Sequence, residues 1–280
     1  MPGTLFVVAT PIGNLEDITL RALRVLREVR VIAAEDTRRT ARLLARHTIS
    51  TPTVSFHEHN TRTRLPQLLV RLERGDSVAL VTDAGTPGIS DPGIELVQAC
   101  IEAGVTVDPI PGVSAPLAAA VASGFSLMPL TILGFPPHRS TDRSGWFEAI
   151  YNIHNTVTFF EAPHRITKTL LTLANILGDR PICVARELTK VHQQFLRGTA
   201  SEVATQLSSN PKGEFTIVIG RVTKLNVPAT DHSDKAIAGE FGLITERGGL
   251  TRREAISATA KRLGLSSRDV YAAIERAKTW

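Results

Sequence analysis

A turn-rich loop at residues 83–93 holds the side chains of this sequence that are best placed to do chemistry. Its eleven residues include three glycines and two prolines, which let the backbone approach a ligand closely and hold it there. The preceding run, residues 77–82, is short and β-branched, which is typical of a strand buried on both faces. Asp91 is expected to cap a helix whose first position is Pro92. A plain strand-to-helix turn needs only about two to six residues, so the length of the loop favours ligand binding.

Three other polar or glycine-containing loops follow predicted strands in the first part of the chain. They occupy residues 10–15, 35–38 and 111–115. In a parallel sheet, ligands bind outside the carboxyl ends of the strands. We therefore expect these three loops and the 83–93 loop to converge on one rim.

The order of segments along the chain indicates an α/β fold. Strand-like and helix-like segments alternate through the first 124 residues, which predicts a mostly parallel sheet covered by helices on both faces. After a junction rich in structure breakers, longer apolar runs occur at residues 130–135, 157–160, 182–185 and 215–219, separated by helix-like segments at 144–153, 166–177 and 201–206. We predict an N-terminal α/β domain at residues 1–124 and a second α/β domain at 125–222.

The last part of the sequence predicts a small helical unit. Residues 223–232 have the composition of a linker, and residues 233–280 carry three helix-like segments. Thr251 with Glu254 forms a capping box at the start of one helix, and Ser266 with Asp269 makes a weaker start for the next. Two helices joined by a short glycine-containing turn have the outline of a helix-turn-helix unit. The tail is therefore either a nucleic-acid-binding unit or a small dimerisation or packing element.

Charge and composition narrow the class of protein. The 280 residues carry a formal net charge of +5, and twelve arginines fall between positions 21 and 74. Arg38, Arg42 and Arg46 share one helical face by their spacing, which suits either a solvated surface or contact with nucleic-acid phosphate. No apolar run approaches the roughly 18 residues that span a bilayer, and no secretory signal is visible, so a cytoplasmic location is expected. Cys100 and Cys183 are expected to be reduced core thiols.

Several common chemistries lack their sequence signatures. The phosphate loop of nucleotide hydrolases, the glycine fingerprint of dinucleotide-binding proteins and the nucleophile elbow of hydrolases do not occur. His57 and His59 are two residues apart, so in a strand their side chains would point the same way, as a pair of metal ligands could. No third ligand has a recognisable spacing, and we therefore predict no metal site. The residues alone therefore indicate a cleft enzyme whose small ligand is unknown.

Eight ordered segments resemble a known family. Between residues 8 and 218 the chain reads VATPIGNL (8–15), AEDTR (34–38), SFHEHN (55–60), TDAGTPGISDPG (82–93), PGVSA (111–115), FFEAPHR (159–165), RELTK (186–190) and GEFTIV (213–218). Together these segments closely resemble the ribosomal small-subunit RNA 2′-O-methyltransferase I family, a branch of the tetrapyrrole methylase superfamily. The tail is similar in character to the helix-turn-helix appendage of that family. Phe159-Phe160 and Ala162 depart slightly from the residues common in relatives, without altering the expected reaction class.

This resemblance implies an activity, a cofactor and partners. It implies that S-adenosylmethionine, held in a cleft between two α/β domains, donates a methyl group to the ribose 2′-oxygen of a decoding-centre cytidine in 16S ribosomal RNA. It also implies a homodimer whose substrate is 16S rRNA or the small ribosomal subunit. By superfamily analogy, the donor pocket is expected to be lined by Pro11, Asp83, Ala84, Gly85, Ile89, Ser90, Ser114, Ala115, Phe160 and Thr216, with Glu161 closing it from the second domain.

The sequence determines the catalytic role of each residue less firmly than the residues of the donor pocket. In-line methyl transfer depends chiefly on placing the hydroxyl oxygen about 3 to 3.5 Å from the methyl carbon, and a general base could add roughly 10² to 10⁴ in rate. The candidate bases are Glu161, Asp36, Glu187 and Lys190, of which Glu161 is preferred for its position at a strand end, and Lys190 would need a depressed pKa. The residues expected to contact RNA are Arg38, Arg165, Arg186, Lys190 and Arg268, with His164 a stacking candidate.

Two alternatives to RNA methylation stay open at this point. One is methylation of a small tetrapyrrole or of a protein side chain on the same scaffold. The other is a non-catalytic RNA-binding module that uses the cleft as a sensor. The amino-acid sequence of the 83–93 loop and the many arginines favour the RNA methylase.

Overall fold

A parallel sheet forms the first half of the protein. The computed structural model describes residues 2–207, 210–222, 233–246, 251–263 and 265–277. Its first five strands pair in parallel in the order β3-β2-β4-β1-β5. They are β1 (Thr4–Val8), β2 (Val31–Ala34), β3 (Thr53–Ser55), β4 (Val78–Val81) and β5 (Thr106–Ile110). The helices between and after them are α1 (Leu20–Glu28), α2 (Thr37–Arg46), α3 (Thr61–Glu73), α4 (Ile94–Glu102) and α5 (Ala115–Ser123), with a short 3₁₀ helix at Leu15–Asp17.

Alternate residues of the central strands face two separate apolar layers. On β2, Ile32 and Ala34 pack with Leu26 of α1, while Val31 and Ala33 belong to a cluster that contains helices α3 and α4. Successive side chains of a strand point to opposite faces, and a parallel sheet covered on both faces needs apolar residues at every position. The prediction of a strand buried on both faces before the 83–93 loop is therefore confirmed for β4.

The second half contains a mixed sheet in the order β6-β7-β10-β8-β9. Its strands are β6 (Leu130–Ile132), β7 (Thr156–Glu161), β8 (Ile182–Arg186), β9 (Gln194–Gly198) and β10 (Phe215–Ile219), and its helices are α6 (Ser140–Asn152), α7 (Ile166–Leu177) and α8 (Ala200–Gln206). Only the β6–β7 pair is parallel. One face packs on α6, α7 and α8. The sequence prediction missed β9.

Helix α5 joins the two halves of the molecule. It contacts β7, β8 and β10, and its Ala119 packs in a cluster with Cys183 and Val218 of the second sheet. Residues 1–222 accordingly form one compact unit, while residues 223–280 form another. Cys100 and Cys183 are buried free thiols, as expected.

The helical unit that follows contains α9 (Asp234–Glu246), α10 (Arg252–Leu263) and α11 (Ser267–Ala277). The capping box is present: Glu254 Oε2 accepts from the Thr251 amide at 2.8 Å, and Thr251 Oγ1 accepts from the Glu254 amide at 3.4 Å. Ile237, Val270 and Ile274 form part of its apolar cluster. The predicted linker at 223–232 lies outside the described residues, as do Lys278 and Trp280. None of the helices described is long and apolar enough to cross a membrane.

Candidate functional site

Residues 1–222 contain a cavity of about 340 Å³ between the ends of the two sheets. Its walls come from the β4–α4 and β5–α5 loops, from the turn after β7 and from β10. Eight of the ten predicted donor-pocket residues line it: Ala84, Gly85, Ile89, Ser90, Ser114, Ala115, Phe160 and Thr216. Three of the four carboxyl-end loops therefore converge on this cavity, whereas the 35–38 loop supplies none of its lining residues.

Backbone hydrogen bonds hold the loops of the cavity together. The Thr10 amide donates to the Gly85 carbonyl at 2.8 Å, and the Gly85 amide donates to the Thr10 carbonyl at 2.9 Å. Thr86 Oγ1 donates to the Val113 carbonyl at 3.1 Å, which ties the 83–93 loop to the β5–α5 loop. Gly85 has a φ of +80°, in the left-handed region that favours glycine. Main-chain hydrogen bonds and the Thr86 hydroxyl thus fix the walls of the cavity.

Pro11 and Asp83 are not among the residues that line the cavity. Asp83 Oδ1 accepts from the Asp36 amide at 3.1 Å, and its Oδ2 lies 3.3 Å from Nη1 of Arg39. The Asp83 amide in turn donates to Glu35 Oε2 at 3.1 Å. These contacts hold the ends of β2 and β4 together, so Asp83 braces the start of the loop, and its contact with a donor stays a prediction.

The lining of the cavity has the chemical character that S-adenosylmethionine requires. The ring centroids of Phe135 and Phe160 lie 5.2 Å apart, and both rings line the largely apolar pocket. Ser114 Oγ is buried and has no hydrogen-bond partner among the described residues. A buried hydroxyl without a partner costs free energy that a polar ligand atom can recover, and apolar walls with a few polar groups are typical of small-molecule sites. The residues present therefore fit a ligand with a flat base and polar substituents.

Glu161 is the centre of a buried ion-pair network. Its side chain is 0% exposed, and its Oε1 accepts from the Ala162 amide at 2.8 Å and from Arg165 Nε at 2.7 Å. Its Oε2 accepts from Arg143 Nη2 at 2.9 Å and from Thr169 Oγ1. A carboxylate has about four acceptor sites, and all are used here. The structure thus corrects the preference for Glu161 as the base: Glu161 holds β7 to α6 and α7.

The same network corrects the assignment of Arg165 to RNA. Besides the bond to Glu161, Arg165 Nη2 donates to the Pro136 carbonyl at 3.0 Å, and Nη1 lies 3.3 Å from Nδ1 of His138. Its side chain is only 13% exposed. Arg165 therefore fixes the segment before α6 against the turn after β7. His164, its neighbour, is exposed.

Lys190 and Glu187 form a cluster with Glu214, and of these three residues only Glu214 lines the cavity. Lys190 Nζ lies 2.9 Å from Glu187 Oε1 and 3.0 Å from Glu214 Oε2. Partial burial alone would lower the pKa of Lys190, but these two carboxylates outweigh burial and raise the pKa above its usual value. Burial alone would raise the pKa of Glu187, and hydrogen bonds from Lys190 and the Glu214 amide lower it instead. A lysine with a raised pKa and a glutamate with a lowered one are both poor bases.

Asp36 caps α2 and pairs with Arg38. Its Oδ1 accepts from the Arg38 amide at 2.8 Å, and its Oδ2 lies 2.8 Å from Arg38 Nη2. Hydrogen bonds from the Arg38 side chain and amide lower the pKa of Asp36 to about 2, which makes it a weak base.

Of the other arginines expected to contact RNA, Arg38 is 88% exposed, and Arg268 is exposed on α11. Arg186 Nε donates to the Lys212 carbonyl at 2.7 Å.

Asp91 is the functional candidate that sequence reasoning misplaced. Helix α4 begins at Ile94 with Gly93 as its N-cap, so Asp91 does not cap it. Instead Asp91 lines the cavity. Burial, followed by the nearby carboxylates Glu35 and Asp83, raises the pKa of Asp91 to about 7. The Asp-Pro pair resembled a helix start, whereas the φ of +132° at Gly93 delays the helix.

The described part of the chain holds no group of three or more histidine, cysteine or acidic side chains that could hold a metal ion. His57 Nε2 instead lies 3.1 Å from Nδ2 of Asn60, at the start of α3.

Comparisons with known proteins indicate the family of the chain. The family model of tetrapyrrole (corrin/porphyrin) methylases matches residues 4–204. Proteins called ribosomal RNA small subunit methyltransferase I are 44% identical in Synechocystis, over 96% of each chain, and 41% identical in Bacillus subtilis, over 96% of this chain and 93% of that one. The protein of that name in Thermotoga maritima is 45% identical and aligns over 98% of its own length but 78% of this chain.

Solved structures agree at the level of the fold. A cobalt precorrin-4 methyltransferase superposes with a TM-score of 0.59 at 20% identity, covering 78% of this chain and 94% of that one. A diphthine synthase superposes with a TM-score of 0.62 at 15% identity, covering 78% of this chain and 90% of that one. The chain therefore belongs to the ribosomal RNA small subunit methyltransferase I family, a branch of the tetrapyrrole methylases that use S-adenosylmethionine.

Proposed function

We propose that the protein transfers the methyl group of S-adenosylmethionine to the ribose 2′-oxygen of a decoding-centre cytidine in 16S ribosomal RNA. The observation that carries this proposal is the 44% identity, over 96% of both chains, to a relative named for methylation of small-subunit RNA. The tetrapyrrole and diphthine enzymes among the structural neighbours share only 15–20% of their residues with this chain. Their substrates are therefore the weaker alternatives. An RNA substrate would place the protein with ribosomes in the cytoplasm.

The experiment that tests the reaction is transfer of tritium from labelled donor to candidate acceptors. Small ribosomal subunits and naked 16S rRNA are compared with a tetrapyrrole and with total protein. Ribose methylation has a chemical signature, because a methylated 2′-oxygen can no longer attack the adjacent phosphodiester in alkali. The expected product is an alkali-stable dinucleotide that contains methylated cytidine. Label in an alkali-labile nucleotide, or only in tetrapyrrole or protein, would contradict the proposal.

We propose that RNA phosphates contact exposed arginines of the first half and, separately, exposed arginines of the helical unit. Arg42 and Arg46, which follow Arg38 on the same face of α2, are exposed, as are Arg253 and Arg268 in the helical unit. Exposed guanidinium groups can neutralise phosphates and release counterions, which makes binding salt-dependent. Arg38 belongs to this set of exposed arginines, although its guanidinium group also forms an ion pair with Asp36.

Deleting residues 230–280 is expected to weaken RNA binding while donor affinity stays unchanged. The helical unit forms its own compact cluster, and the family model ends at residue 204. Loss of one or two phosphate contacts should reduce the slope of log affinity against log salt concentration by about 1 to 2. Filter binding across a salt series measures this slope, and calorimetry measures the donor affinity. An unchanged slope in the truncated protein would refute an RNA-binding role for the unit.

We also propose that the protein is a homodimer. Large apolar side chains are exposed on α5 and just after it: Leu117, Val121 and Met128. Clustered exposed apolar residues are typical of protein interfaces. Light scattering on the full chain tests this proposal, and a monomer at micromolar concentration would contradict it.

A further inference from the structure

Two open grooves border the loop that joins β8 to β9, and His192 of this loop lines both. The first groove, of about 820 Å³, lies between the loop, the turn after β1 and Arg46 at the end of α2. The second, of about 610 Å³, lies between the loop and the turn before β10, with Arg186 in its lining. The same loop contributes Leu188 to the wall of the cavity between the two sheets. One loop therefore borders the cavity and both grooves.

The backbone of the β8–β9 loop is strained and firmly anchored. Glu187 and Thr189 have φ values of +51° and +63°, in the left-handed region that side chains rarely adopt. Thr189 Oγ1 accepts from the Asn14 amide at 3.0 Å. A Cβ at Gly13 would lie 2.8 Å from the Leu188 carbonyl oxygen, so the loop packs directly on the main chain after β1. Strained backbone that its surroundings hold in place is common at functional sites, and here it fixes the grooves beside the cavity.

Cationic side chains outnumber acidic ones among the described residues that line the two grooves. The cations are Arg46, Lys190, Arg186 and Lys212, and the acids are Glu16 and Glu187. Lys190 bonds to Glu187 and to Glu214, of which Glu214 lines the cavity. Lys190 thereby offsets two carboxylates at the boundary between the grooves and the cavity, where they would otherwise repel an anion. The lining of the grooves therefore suits an anionic ligand.

Two arginines, one in each groove, have guanidinium nitrogens available to a ligand. Arg186 Nε donates to the Lys212 carbonyl at 2.7 Å, which fixes the side chain, while its Nη groups form no hydrogen bond or ion pair with the residues that the structure describes. Arg46 is exposed and forms none with those residues either. Guanidinium groups bind phosphate through parallel N–H bonds. Each groove therefore offers one site for a phosphate group.

We propose that the two grooves bind the single-stranded RNA on either side of the acceptor nucleotide, with Arg46 and Arg186 contacting phosphates in separate grooves. This inference rests on the proposed function. An acceptor nucleotide that reaches an enclosed site has left any base stack, and its chain carries a phosphate on each side. A rigid loop that borders the cavity and both grooves can receive this chain as it enters and as it leaves. His192, between the grooves, offers a flat ring on which a neighbouring base can stack.

The first test is the salt dependence of RNA binding by the full-length protein. A short fluorescent single-stranded RNA is titrated with protein across a salt series, and binding is followed by anisotropy. Loss of one phosphate contact on a single strand reduces the slope of log affinity against log salt concentration by about 0.7. Arg46→Gln and Arg186→Gln should each show this loss, and the double variant should lose about 1.4. Calorimetric affinity for S-adenosylmethionine should stay within a few fold of the wild type in all three.

Arg74→Gln is the matched control for charge. Arg74 is exposed and follows α3 directly before β4, so it lies at the edge of the parallel sheet opposite to the carboxyl-end loops. This variant should keep the wild-type slope. An unchanged slope in the double groove variant, or an equal loss in Arg74→Gln, would overturn the inference.

Conservative variants separate phosphate contact from a merely structural role. Arg46→Lys and Arg186→Lys keep the positive charge and should keep the slope of the wild type. Arg186→Lys changes the bond to the Lys212 carbonyl, so a structural role for that bond would be lost in both variants of Arg186. Equal loss of slope in Arg186→Lys and Arg186→Gln would therefore overturn the phosphate contact of Arg186.

A second test locates the RNA directly. The same RNA with 4-thiouridine incorporated is cross-linked to the protein by light, and the protein is cut after lysine and arginine. Cleavage releases residues 191–197, which include His192. RNA attached to this peptide supports the inference, whereas RNA attached only to peptides outside both grooves overturns it. Neither test depends on methyl transfer. Failure of the wild-type protein to methylate RNA would overturn the proposed function, whereas unchanged binding in the groove variants would overturn only the role of the grooves.

Discussion

Glu161→Ala is expected to lower the free energy of unfolding by about 3–5 kcal/mol, which is typical of breaking a buried ion pair from one side. The substitution leaves two guanidinium groups, Arg143 and Arg165, 12% and 13% exposed and without their carboxylate. It also leaves Thr169 Oγ1, which is buried, without its acceptor. Urea unfolding can be followed through Trp146 on α6, whose ring centroid lies 5.1 Å from that of Phe159 on β7.

A surface ion pair provides the matched control for this prediction. Arg24 and Glu28 lie 2.8 Å apart on α1, with both side chains 59% exposed. An exposed pair of this kind contributes only about 0.3–0.5 kcal/mol, so Glu28→Ala should scarcely change the unfolding curve. If Glu161→Ala destabilised the protein no more than Glu28→Ala, the structural role of Glu161 would be wrong. A stable Glu161→Ala protein that bound donor and RNA yet failed to transfer methyl would restore Glu161 as a catalytic candidate.

The contrast between Glu161 and Asp91 shows where sequence reasoning reaches its limit. The sequence identifies Glu161 as a cleft candidate at a strand end but predicts Asp91 to cap a helix. The surroundings of the two acids depend on residues distant in sequence: Arg143 and Thr169 lie on α6 and α7, and Glu35 lies at the end of β2. Local patterns do not specify which charges meet a side chain in the folded protein. The chemistry of each carboxylate depends on those neighbours.

The cleft itself could be predicted because parallel strands obey a simple geometric rule. Apolar β-branched runs such as 78–81 identify strands, and the polar residues after them must gather at the carboxyl edge of the sheet. In the second half the rule is weaker, because most strand pairs there are antiparallel. Strand β9 reads QFLRG, with an arginine and a terminal glycine, and it lies at the sheet edge where few apolar positions are needed. Its polar composition explains why it was missed.

Gly85→Val is expected to lower the affinity for S-adenosylmethionine by about 10- to 100-fold. Gly85 lines the cavity, and a Cβ there would lie 3.5 Å from Ile12 Cγ2 and 3.8 Å from the Val113 carbonyl oxygen, so a larger side chain has little room. Adding atoms to a packed site costs about 1–3 kcal/mol, and each 1.4 kcal/mol is a factor of about ten in affinity. Calorimetric titration with the donor measures the effect.

Comparison of Gly85→Val with Gly88→Val distinguishes blockage of the cavity from backbone strain. Gly88 lies three residues further along the same loop with a φ of +85°, close to the +80° of Gly85, but nothing lies within 4 Å of its added Cβ. Both variants should lose stability through left-handed strain, about 1–3 kcal/mol each, whereas only Gly85→Val should lose donor affinity in addition. Equal affinities in the two variants would show that the donor binds elsewhere. A difference confined to Gly85 would locate the donor at the part of the cavity wall that Gly85 forms.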